Sequence, residues 1–115
     1  MATDSQSTVP SEPVSISERT ELDSLVSAHD VVLVDFYADW CGPCQMMEST
    51  IESIAEETDA AVVKVDVDRF QQIAANFGVQ GIPTLILFAD GEPVERMVGM
   101  QTRETLATAI ASQAN

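Results

Sequence analysis

The sequence predicts an α/β fold, a central mixed β-sheet flanked by helices on both faces. Three observations lead there. Strand-like apolar runs alternate with amphipathic helical segments along the chain. The run VVLVDF at residues 31–36 is apolar almost throughout and rich in β-branched residues, as a strand covered on both faces should be. Asp90-Gly91, set between two further strand-like runs, is a strong hairpin signal and adds an antiparallel strand.

The elements follow in order. Residues 1–13 read as a flexible polar and acidic leader with Pro10 and Pro13, and residues 14–115 as one domain. Val14 and Ile16 suit a short edge strand. Ser15 with Glu18, or Ser17 alternatively, opens a helix whose apolar stripe is Leu22, Leu25 and Val26. After the 31–36 strand, a second helix is expected to start near the cysteines and run to about Glu57. Met47, Ile51, Ile54 and Ala55 share one of its faces, and Glu48, Glu52 and Glu56 another. Residues 62–67 form the next strand, with Lys64 and Asp66 pointing away from Val63, Val65 and Val67. A short helix spans 70–76, anchored by Phe70, Ile73 and Ala74. Strands at 84–89 and 94–98 flank the hairpin turn, Gly99 ends the second, and a last helix runs over 102–113 with Leu106, Ala109 and Ile110 buried. From Val31 onward the order is β-α-β-α-β-β-α, and its parallel connections should be right-handed crossovers.

Composition limits the function. One domain of 115 residues can bury a core without staples. No apolar run approaches the roughly 20 residues that span a bilayer, and no basic segment precedes an apolar stretch at the N-terminus. These features lead us to expect a cytoplasmic protein. Nineteen Asp and Glu against five Lys and Arg give a formal net charge of -14. Such a surface repels nucleic-acid phosphates and anionic lipid, so neither nucleic acid nor membrane is expected as a partner. A normal apolar content beside an acidic surface with one lysine, Lys64, fits adaptation to high salt, where ions screen the self-repulsion. Acidity alone also fits an ordinary solvated face or a preference for basic partners.

Chemistry concentrates at Cys41-Gly42-Pro43-Cys44, between an apolar strand and an amphipathic helix. A disulfide over so short a loop adds little stability, which suggests reversible chemistry. A helix start leaves N–H groups unpaired and carries the positive end of the helix dipole, so a thiolate there is stabilised. Pro43 suits the first helical turn, and Gly42 leaves room for a partner to approach. Cys41 is expected as the exposed attacker, and Cys44, one turn inside, as the more buried resolving thiol. A zinc site is the competing reading. It needs four ligands, and the chain offers two cysteines and one histidine, His29, at the far end of the preceding helix. Asp35 interrupts the strand that feeds the motif and shares a face with Val31 and Leu33. Burial should raise its pKa and suit it to move a proton for Cys44. Lys64, on the adjoining strand, could face Asp35 and moderate it. Pro83 precedes the 84–89 strand beside Gly81, and its peptide isomer is not legible from the sequence.

These residues resemble the thioredoxin family, over about residues 15–113. The resemblance is carried by VDFYADWCGPC at 34–44, VKVDVD at 63–68, FGVQGIPTLILF at 77–88 and Gly99. It implies the thioredoxin fold and reduction of protein disulfides by dithiol–disulfide exchange. It implies Cys41 as nucleophile, Cys44 as resolving cysteine, Asp35 as the buried aspartate and Lys64 as its lysine neighbour. Trp40, Gly42, Pro43, Gly81, Ile82, Pro83 and Gly99 would bind substrate: Trp40 flanks the attacker, Pro83 matches a cis-proline, the Ile82 backbone pairs with the substrate chain, and Gly81 and Gly99 keep the groove open. The implied partners are a thioredoxin reductase and disulfide-containing target proteins, with the protein a monomer. No metal or organic cofactor is called for, the dithiol itself carrying the electrons. Tyr37 stands where tryptophan is common in the family, and Gln45 where lysine is common. The rivals are a disulfide isomerase or oxidant, separable by reduction potential, and a docking module, whose activity would survive loss of both cysteines.

Overall fold

The computed structural model describes residues 8–113. Five strands form one mixed sheet in the order β1-β3-β2-β4-β5: β1 (Val14–Ser15), β2 (Val31–Tyr37), β3 (Ala61–Asp66), β4 (Thr84–Ala89) and β5 (Glu92–Val98). Strands β1 and β2 lie parallel to β3, whereas β4 runs antiparallel to β2 and β5 to β4. The helices are α1 (Arg19–Ala28), α2 (Gly42–Met46), α3 (Glu48–Glu57), α4 (Gln71–Asn76) and α5 (Arg103–Ala111). The expected α/β architecture is the one observed.

The strand pleat divides the core into two layers. Leu33, Val62, Leu85 and Leu87 face α3 and α5, against Met47, Ile51, Ile54, Leu106 and Ile110. Val32, Val34, Phe36, Val63, Val65, Ile86 and Phe88 face the other way, against Leu22 of α1 and Ile73 of α4. The central strand β2 therefore has apolar residues on both faces because both faces are covered. Strand β5 is an edge, exposed except at Met97, and carries Pro93, a residue that sheets confine mostly to edge strands and bulges. At the turn, Asp90 and Gly91 both take positive φ, 53° and 85°, as a tight hairpin of native twist requires. No helix among the described residues is long and apolar enough to cross a membrane.

Several expectations need correction. The helix after the cysteines is not continuous. It bends at Met47 (φ -89°, ψ -3°), whose N–H is shared between the Pro43 and Cys44 carbonyls at 3.2 and 3.1 Å. That sharing is the tightening of a last helical turn. Gln45–Ser49 contains neither proline nor glycine, so no local signal marks the bend. Helix α1 is capped at Glu18, not at Ser15 or Ser17. The Glu21 carboxylate accepts the N–H groups of Ser17 and Glu18 at 2.6 and 3.1 Å, and these bonds hold its pKa below the usual carboxylate value. Strand β3 starts and ends one residue earlier than expected, β5 starts at Glu92, and α5 stops at Ala111. Of the expected leader, residues 1–7 lie outside the described residues. Val9 packs against the α1 side of the core.

Candidate functional site

Strand β2 delivers the chain to the site. Two residues past the buried Phe36, Ala38 turns the backbone, and Cys41 caps α2 with extended φ and ψ of -86° and 109°. Pro43 stands in the first turn of α2, where its lack of an N–H leaves nothing unpaired. Cys41 and Cys44 are joined in a disulfide, their Cα atoms 5.2 Å apart. The Cys44 N–H points at Cys41 Sγ at 3.1 Å, so the sulfur takes the place of the usual capping oxygen.

The second wall is the loop before β4. The Ile82–Pro83 peptide is cis, and the Ile82 carbonyl oxygen lies 3.9 Å from Cys41 Sγ. Gly99, at the end of β5, donates its N–H to the Pro83 carbonyl at 2.8 Å. Its φ of 90° is one that side chains rarely adopt, which accounts for glycine there. Gly81 is different. A methyl group added to it would meet only Val98, at an ordinary 3.8 Å, so nothing within the chain demands glycine. Gly42 likewise faces open space, in keeping with room for an approaching partner. Trp40 is 69% exposed, and its indole N–H donates to Asp68 Oδ2 at 2.8 Å.

The expected difference in exposure between the cysteines is not observed. Cys41 is 3% exposed and Cys44 7%. In the disulfide state Cys41 is covered because it nests with Ala38, Tyr37 and Ile82. What distinguishes the two is position: Cys41 caps the helix and receives an N–H, and Cys44 lies inside the first turn.

Asp35 is buried, 4% exposed, and stands in register with Lys64 of β3 and Leu85 of β4. Burial raises its pKa to about 6, the Lys64 ammonium pulling down and the Glu48 carboxylate pushing up. The lysine faces the strand of Asp35 as expected, but its Nζ rests 4.2 Å from the centre of the Tyr37 ring. No hydrogen bond among the described residues joins Asp35 to a cysteine, and a disulfide sulfur has no proton to share. His29 caps the C-terminal end of α1, at the opposite end of β2 from the disulfide, so it cannot join the cysteines as a ligand.

Sequence reasoning missed three residues of this surface. Asp68 holds the Trp40 indole, and its place within VKVDVD was the available signal. Val98 and Met100 are exposed apolar side chains beside Gly81 and Gly99. The alternation of Val94 and Val98 with Met97 along an edge strand could have marked Val98 as outward-facing.

A protein-family model described as Thioredoxin matches residues 13–112. The chain is 45% identical over 95 residues to the thioredoxin of Mycobacterium tuberculosis strain ATCC 25618 / H37Rv, covering 81% of this chain and 82% of that protein. It is 43% identical over 97 residues to that of Chlamydia muridarum, covering 84% and 93%. Among solved structures, a point mutant of the thioredoxin from Halobacterium salinarum NRC-1 superposes with a TM-score of 0.91 at 54% identity, covering 95% of this chain and 96% of the other. A Schistosoma mansoni thioredoxin gives 0.82 at 32% identity, covering 91% and 98%.

Proposed function

The chain belongs to the thioredoxin family, and from that premise we propose how its residues divide the work of reducing disulfides in other proteins. It is a thiol–disulfide oxidoreductase, and its redox centre is the Cys41–Cys44 pair. In the reduced state the Cys41 thiolate attacks one sulfur of a target disulfide. The target S–S bond breaks, its other sulfur leaves as a thiolate, and a mixed disulfide forms. Cys44 then gives its proton to the Asp35 carboxylate and attacks Cys41 Sγ. The second target sulfur leaves, and Cys41–Cys44 is oxidised. Two electrons pass from the protein dithiol to the target. A thioredoxin reductase restores the dithiol.

One observation carries this division of roles: Cys41 Sγ caps α2 and receives the Cys44 N–H at 3.1 Å. A negative charge on that sulfur is favoured by this N–H and by the helix start, and among the described residues no N–H donates to Cys44 Sγ. The groove for the target chain is formed by Trp40, Gly42, Pro43, Gly81, the Ile82 backbone, Pro83 and Gly99, with the protein acting as a cytoplasmic monomer. Turnover tests the reading. Reduction of a protein disulfide, driven by a small dithiol, should be lost in Cys41→Ser and in Cys44→Ser. Undiminished activity after loss of both cysteines would favour a docking module.

The net charge of -14 supports a second property, adaptation to high salt, in which ions screen the self-repulsion of the acidic surface.

A further inference from the structure

Asp35 and Thr84 are the polar side chains buried among the described residues, and the exchange reaction as described above uses only Asp35. Thr84 opens β4, where the pleat sets it on the same face as Ile86 and Phe88, in register with Phe36 of β2. Those three neighbours are buried and apolar, and Thr84 is as deeply buried, at 1% exposure. A hydroxyl in such surroundings is costly unless it is hydrogen-bonded. Thr84 Oγ1 donates to the Gly81 carbonyl at 2.5 Å.

That bond spans the loop that meets the disulfide. Three carbonyls follow one another there. The Gly81 carbonyl accepts from Thr84, and the Pro83 carbonyl accepts the Gly99 N–H at 2.8 Å. Ile82, between them, is left open. Its carbonyl oxygen lies 3.9 Å from Cys41 Sγ, and its N–H has no hydrogen-bond partner among the described residues. We propose that Thr84 is a positioning residue of the exchange reaction: through the Gly81 carbonyl it holds the Ile82 backbone where a target chain can pair with it beside Cys41. Gly81 is the residue whose backbone turns most freely, so its peptide gains most from a fixed partner. Without the hydroxyl that carbonyl would bond to water, and the loop would be ordered only as the target binds, at a cost to binding. A small disulfide with no peptide groups does not use the Ile82 edge and should not feel the loss.

This inference rests on the reading of the Ile82 backbone as a docking edge for targets, and the experiment separates the two. Second-order rate constants are measured in single turnovers of the reduced protein with two probes. One is a synthetic cyclic peptide closed by a disulfide, and the other is hydroxyethyl disulfide, which has no amide group. Thr84→Val suits the apolar layer and removes the hydroxyl. It should slow reduction of the peptide about two- to tenfold, the worth of one hydrogen bond, and leave the rate with hydroxyethyl disulfide unchanged. Thr84→Ser keeps the hydroxyl and should restore the peptide rate. An unchanged peptide rate in Thr84→Val overturns the proposal. So does an equal slowing with both probes, which is what general loosening of the site would give. If circular dichroism shows Thr84→Val unfolded, Thr84→Ser and Thr84→Ala decide the matter: the serine variant should reduce the peptide faster, and equal rates overturn the proposal. An unaltered protein that gives the peptide no advantage over hydroxyethyl disulfide overturns the docking reading of Ile82, and this inference with it. An advantage that survives intact in Thr84→Val overturns this inference alone.

Discussion

Asp35 stands directly opposite Lys64 in the parallel register of β2 and β3, yet the lysine ammonium lies over the Tyr37 ring and makes no ion pair among the described residues. The carboxylate is therefore buried with a nearby cation that only partly compensates it. Its pKa of about 6 follows from that geometry, burial outweighing the lysine.

A first prediction concerns Asp35 itself. Its folded pKa, about 6, lies above the ordinary 3.8, so ionisation disfavours the folded state. The cost is absent below the unfolded value, grows as pH rises through the interval, and is complete above the folded value. A difference of about two pH units corresponds to about 3 kcal/mol. Asp35→Asn should raise stability at pH 7 by up to about 3 kcal/mol and change it little at pH 4. The same variant should slow disulfide reduction at neutral pH and lose the acid limb near pH 6. Denaturant midpoints and rates across pH check both. An equal stability gain at pH 4 and pH 7 would assign the gain to something other than the buried charge.

Lys64 provides the opposite sign. In Lys64→Gln the cation that lowers Asp35 is gone, so the acid limb of the rate profile should move to higher pH. Stability should fall at neutral pH, where Asp35 is charged, and hold at pH 4, where it is neutral. In the double variant with Asp35→Asn the neutral-pH loss should vanish. A loss that persists there would mean the lysine contributes by packing on Tyr37.

The fold was legible wherever local chemistry and tertiary packing agree. Strand β4 matched at both ends, and Asp90-Gly91 took the positive φ values its residue types favour. Asp35 was legible because a carboxylate inside an apolar strand conflicts with its surroundings. Met47 was not, because the bend there reflects a buried side chain and shared carbonyl bonds that no residue type announces. The relative exposure of Cys41 and Cys44 was misread for a related reason. Helix position governs which N–H groups reach a sulfur, but exposure depends on Ile82, which arrives from 41 residues away.

Salt gives a third prediction. Glu48, Glu52 and Glu56 are exposed along one face of α3, where each like-charge pair costs roughly 0.2–0.5 kcal/mol. Arg103 of α5 pairs with Glu57 and offsets part of the charge at the helix C-terminus. Both side chains are near half-exposed, however, so the pair contributes little. The melting temperature of the reduced protein should climb from about 0.05 M to above about 1 M KCl, as the screening length falls from above 10 Å to about 3 Å. A flat or falling curve would leave the acidic surface as a solubility or partner-selection feature.

The central claim is that Cys41 attacks and Cys44 resolves, and trapping tests it most directly. Cell extract is mixed with reduced Cys44→Ser or reduced Cys41→Ser and resolved on non-reducing gels. With Cys44→Ser, Cys41 should form mixed disulfides that nothing resolves, and a ladder of thiol-sensitive adducts should accumulate. Cys41→Ser should give few or none, since Cys44 lies inside the helix turn without the N–H that Cys41 Sγ receives. Equal ladders from the two variants, or a ladder from Cys41→Ser alone, would contradict the assignment.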